Sequence, residues 1–110
     1  MTNDELIGGF ERGTLSPGSF HHREHVRLTW LYLARHGRAE TERRLLAGLR
    51  DLAARAGKPD KFNSALTRAW VARIADAAAS LGPDESFDEL LARRPDLLGG
   101  RQTLDPAQTI

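Results

Sequence analysis

The chain contains no cysteine, which removes disulfides, thiolate metal sites and cysteine nucleophiles together. A cysteine-free chain fits a reducing cytoplasm. Long apolar runs are also missing, so no stretch reads as a membrane span. The opening MTNDELIGGF has neither the basic nor the apolar region of a signal peptide. These absences predict a cytoplasmic protein with no membrane partner. Lysine occurs at Lys58 and Lys61 alone, and 16 basic residues stand against 15 acidic ones for a net charge of +1. A nucleic-acid binder gathers a basic excess on one face. Here arginines alternate with acids along every segment, which argues against nucleic acid.

What is present is helix-forming sequence with clear punctuation. No segment shows the strict alternation of a strand. The 110 residues are read as one all-α domain (1–110), a bundle of about five helices with its core over about 3–98 and a flexible tail from 99 to 110. Asn3 is placed to cap a first helix through Arg12, closed by Gly13, and Ser19 to cap a second running to His36, with Gly37 after it. A third runs from about Ala39 to Ala56, burying Leu45, Leu49, Leu52 and Ala56. Glu40–Arg44 and Asp51–Arg55 form i,i+4 pairs on its wet side. Asp60 caps a fourth, about Lys61 to Leu81, ending at Gly82-Pro83. Ser86-Phe87-Asp88-Glu89 matches a capping box for a fifth that stops before Pro95.

The stretch SFHHREHVRLTW holds three of the four histidines. Successive helical residues turn by about 100°. On that wheel His22, Val26, Trp30 and Leu33 share one side, and His25, Thr29 and His36 fall inside the same arc. Arg23, Glu24, Arg27 and Arg35 take the opposite half, and His21 sits at the margin beside Leu28. The fourth helix repeats the pattern: Leu66, Trp70, Val71 and Ile74 define its apolar side, with Asn63 and Thr67 on that side near the helix start. If helices two, three and four run up, down and up, the second and fourth are parallel. Their N-termini then bring His22, His25 and Thr29 towards Asn63 and Thr67, with Trp30 and Trp70 as walls. Two helix N-termini also favour an anionic ligand. The alternative is a polar core in which each of these groups bonds to nearby backbone.

The metal and catalytic readings are weaker. A zinc HExxH site needs Glu directly after its first histidine, and His22 or Arg23 stands there. With no cysteine, a third ligand would have to be Glu24, Glu11 or a distant acid, so no metal or other cofactor is expected. Ser19 and Ser64 lack the context of an activated nucleophile. Acid–base work by His22 or His25 stays open, because an imidazole titrates near neutrality.

The segments F-H-H-R-E-H-V-R-L-T-W-L-Y-L, K-F-N-S-A-L-T-R-A-W and F-D-E-L-L-A-R-R-P-D-L-L resemble a poorly characterised group of small bacterial all-helical proteins. That group carries His-x-x-His-x-x-x-x-Trp, then aromatic-His-Glu-x-x-Thr-x-x-Trp, then Pro-x-Leu-Leu. The resemblance spans roughly residues 20 to 98 and matches His22, His25, Trp30, Thr67 and Trp70. It departs at Asn63-Ser64, where the pattern has His-Glu. If the pattern's histidines and glutamate form a metal or acid–base cluster, this chain keeps one half of it. The resemblance therefore implies binding without turnover, altered chemistry or service as a partner subunit. The leading expectation is an accessory protein, in a biosynthetic pathway, that binds a small polar or anionic metabolite. The alternatives are an enzyme using His22 or His25, and an interaction module whose arginine-rich faces dock a protein partner.

Overall fold

A computed structural model describes residues 2–82 and 85–99 of the chain. It is an all-α bundle: no strand occurs among the described residues, and five helices have seven residues or more. Helix α1 (Asn3–Arg12) is capped one residue earlier than expected. Thr2 accepts the Glu5 N–H at 3.1 Å and the Glu5 carboxylate reaches back to the Thr2 N–H at 2.8 Å, a reciprocal pair that satisfies two orphan donors. Asn3 instead accepts a hydrogen bond from Arg27. Helix α2 (His22–His36) starts after a 3₁₀ turn at Pro17–Ser19, so Ser19 is not its cap. The Glu24 carboxylate accepts the His21 N–H at 2.8 Å and fixes that start.

Helix α3 (Arg38–Arg55) runs as expected to just before Gly57, whose φ of 74° is the left-handed turn that favours glycine. Both of its expected ion pairs form. Helix α4 (Ser64–Ala78) is shorter than the sequence reading at both ends. Pro59–Lys61 folds as a separate 3₁₀ turn, and Asn63 rather than Asp60 caps the helix by accepting the Leu66 N–H at 3.0 Å. Helix α5 (Phe87–Arg93) has its Ser86/Glu89 capping box. One helical turn was not anticipated: α6 (Asp96–Gly99) follows Pro95 directly. Pro83 of the expected fourth-helix end, and the tail after Gly99 read from the sequence as flexible, lie outside the described residues.

The buried side chains form two groups that meet at α2. One joins Leu6, Ile7 and Phe10 of α1 to Leu28, Leu31 and Tyr32 of α2 and Leu45, Leu49 and Leu52 of α3. The other joins Val26 of α2 to Trp70, Ile74 and Ala77 of α4, Phe87 and Leu90 of α5 and Leu97 of α6. Helix α2 therefore buries two sides, not one arc, and Leu28 is fully buried where the wheel left it at the margin. His36, placed in the apolar arc by the wheel, is exposed at the last turn. Helices α2 and α4 run in the same sense. His22 at the start of α2 meets Trp70, while Leu33 and Ala34 near its end share a cavity with Ala75 and Ala78 of α4. No helix among the described residues is long and apolar enough to cross a membrane.

Candidate functional site

The start of α2 and the middle of α4 enclose a group of nitrogen atoms with nothing to bond. His25 is buried, and its ring lies 6.4 Å from that of His22 and 6.0 Å from that of Phe20. His22 stands edge-on to Trp70, with ring centres 4.7 Å apart. Four buried side-chain nitrogens among the described residues have no hydrogen-bond partner: His22 Nδ1, both nitrogens of His25, and Trp70 Nε1. All four belong to these three adjoining rings. A buried polar atom left unpaired costs about 1–3 kcal/mol, and native interiors contain few of them. Their concentration in one place is the signal.

The remaining nitrogen fixes the chemistry. His22 Nε2 lies 2.5 Å from the backbone oxygen of Leu97 in α6. A carbonyl can only accept, so Nε2 carries the hydrogen. His25 is held neutral: burial first, and the neighbouring His22 second, push its pKa from 6.5 down to about 3. A neutral His25 offers one donor and one acceptor, and the Trp70 indole offers a donor. The unmet set therefore mixes donors and acceptors: one of each on His25 and a donor on Trp70, with His22 Nδ1 beside them. Arg73 lies over the Trp70 ring at 5.0 Å, but its charge is matched by Asp96 at 2.8 Å.

The structure brings together three of the seven residues singled out in the sequence. Thr29 is buried, but its hydroxyl donates to the His25 carbonyl at 2.8 Å. Thr67 likewise donates to the Asn63 carbonyl at 3.1 Å. Both hydroxyls are back-bonded into their own helices, the bland alternative for such residues. Asn63 is exposed and occupied as the α4 cap. The reason it misses the cluster is register. His22 opens α2 but meets the seventh residue of α4, and seven residues at 1.5 Å each put Asn63 roughly 10 Å away along the axis. Replacing Asn63 with Ala is therefore expected to cost about 1 kcal/mol in chemical denaturation. Asn63→Ser should restore most of that, and neither change should shift the His22 or His25 ring resonances. Trp30 packs against Phe87, 5.5 Å between rings, and lines a separate cavity of about 380 Å³ with Leu33, Ala34 and alanines of α4.

The acids proposed as a third metal ligand are engaged elsewhere. Glu24 holds the His21 N–H, and Glu11 accepts from the Tyr32 hydroxyl and from Arg44, each at 2.9 Å. No group of three or more His, Cys, Asp or Glu suited to a metal occurs among the described residues. Two imidazoles alone are an incomplete donor set for zinc. Sequence reasoning missed α6, which supplies both the carbonyl on His22 and the apolar Leu97 beside Trp70. Its one signal was Asp96 after Pro95, an acid in the first turn of a short helix.

No family model, curated protein or solved structure matches this chain. The cluster has to be read from its own geometry.

Proposed function

We propose that this protein binds a small neutral polar molecule at the His22–His25–Trp70 cluster. The observation that carries the reading is the balance of the cluster. Four unmet nitrogens present donors and acceptors together, which suits a molecule that both donates and accepts, such as a small amide or alcohol. The expectation of an anionic ligand is given up. The guanidinium beside the cluster, Arg73, is matched by Asp96, and the α4 N-terminus is closed by the Asn63 side chain. His25 is not favoured as a catalytic base, because a histidine with a pKa near 3 holds a proton poorly at neutral pH. Several arginines of the α3 and α4 surfaces are already engaged: Arg43 and Arg44 pair with Glu40, Arg55 with Asp51 and Arg68 with Glu42.

Thermal melting against two compound sets tests this. Neutral amides and alcohols should raise the melting temperature of the wild type, and carboxylates and phosphates of similar size should not. His25→Leu, which keeps the volume and removes two unmet nitrogens, should stay folded and lose the response. An equal shift in His25→Leu, or a response confined to the anions, would remove the proposal.

A further inference from the structure

We infer that α6 is a displaceable cover over the nitrogen cluster, and that a ligand reaches His22 by taking the place of the Leu97 carbonyl. This rests on the binding reading above and adds its route. The four cluster nitrogens are shut off from solvent. Helices α2 and α4 form two of the walls, fifteen residues each, and both are built into the bundle's centre. Phe20 flanks His25, and the side at His22 and Trp70 is closed by α6, four residues long. A single turn has almost no internal hydrogen bonding and keeps its shape through what it touches, so it belongs to the low-stability end of a fold.

Besides its packing on α5, what α6 touches lies at the cluster. The Leu97 carbonyl takes the His22 Nε2–H from α2, and the Leu97 side chain is fully buried in the group that contains Trp70. Asp96 is gripped by Arg94 at 2.9 Å and 3.0 Å, and by Arg73 of α4 at 2.8 Å, the same Arg73 that lies over the Trp70 ring. The segment is thus fastened to both cluster-bearing helices at residues in contact with the cluster. Lifting it would break one hydrogen bond to α2 and one ion pair to α4 and would expose the Leu97 side chain, while leaving both helices whole. It would also free the His22 Nε2–H, so the opened site gains a donor aimed where a backbone carbonyl had been. The incoming molecule must then present an acceptor oxygen or nitrogen to His22.

Hydrogen exchange of the Trp70 indole N–H in the full chain, followed by NMR in heavy water, tests the cover with solvent itself as the probe. The indole should show a protection factor at least tenfold smaller than the slowest backbone amides of α3. Asp96→Asn loosens the grip of both arginines and should speed indole exchange roughly three- to tenfold, with the α3 amides unchanged within twofold. Arg94→Gln gives a second, milder loosening should Asp96→Asn not fold. Indole exchange in step with the slowest α3 amides, or equal acceleration everywhere, would overturn the cover. The two ideas fail separately: fast indole exchange with no melting response to neutral compounds keeps the cover and removes the binding reading.

Discussion

Between about pH 7 and pH 4.5 the wild-type protein is expected to lose roughly 2–3 kcal/mol of stability that His25→Leu does not lose. The cause is the enclosed imidazole. In the unfolded chain His25 titrates near 6.5, whereas burial and the adjacent His22 lower its folded value to about 3. Between those values the unfolded chain binds a proton that the folded chain refuses. Stability is therefore complete above about pH 6.5 and falls as the pH drops towards 3, at about 1.4 kcal/mol per unit. Exposed carboxylates also titrate in the lower half of this window, so the comparison with His25→Leu isolates the histidine. Urea denaturation of both proteins at matched pH values is the measurement. The variant should already be the more stable at pH 7, by about 1–2 kcal/mol, because two unpaired buried nitrogens are gone. The gap should then widen on acidification. Two curves that stay parallel from pH 7 to 4.5 would show that His25 charges freely in the folded state, and the closed cluster would be wrong.

Gly48→Ala should destabilise by about 2–3 kcal/mol, against the gain of up to about 1 kcal/mol that this change usually brings inside a helix. A Cβ at Gly48 would overlap Cζ and Cε2 of the Phe10 ring. No real contact is that close, so the ring or the helix must shift. The ring has little room, because Phe10 stacks on Phe20 at 5.7 Å and meets Tyr32 at 6.4 Å. Glycine at this point in α3 lets α1 close onto the bundle. A double-mutant cycle with Phe10→Leu checks the mechanism. The smaller side chain should relieve most of the Gly48→Ala penalty, giving a coupling of about 1 kcal/mol or more. Additive losses would place the effect outside this contact.

These two expectations differ in what made them visible. Helix count and many ends were legible in the chain, because caps and breakers act within four residues. Ser86 with Glu89, Gly13, and Gly57 before Pro59 needed no tertiary partner to be read. The errors at Asn3 and Asp60 are choices among neighbouring cap-forming residues, where one hydrogen bond decides; at Ser19 a 3₁₀ turn intervenes before α2. The buried position of His25 was also legible, from the 100° turn alone. Gly48 was not: nothing local distinguishes it from a tolerated helix glycine until Phe10 of α1 is set against it.

The candidate site divides along the same line. Its α2 histidines and the facing Trp70 follow from helical periodicity, together with the parallel course of α2 and α4. The axial offset between those two helices does not, since it depends on how α4 packs on α2 and α3. That offset left Asn63 at a cap and brought Trp70 to His22 instead. The wheel could say that Thr29 and Thr67 face inward, but not that each hydroxyl would close onto a carbonyl of its own helix. The partner of His22 lies 75 residues away on a single turn of helix. By itself the sequence determined an all-α chain with inward histidines needing partners, because periodicity and capping are short-range. Tertiary packing alone decided which of them found one, because unmet hydrogen bonds are a property of what is absent around a group in space.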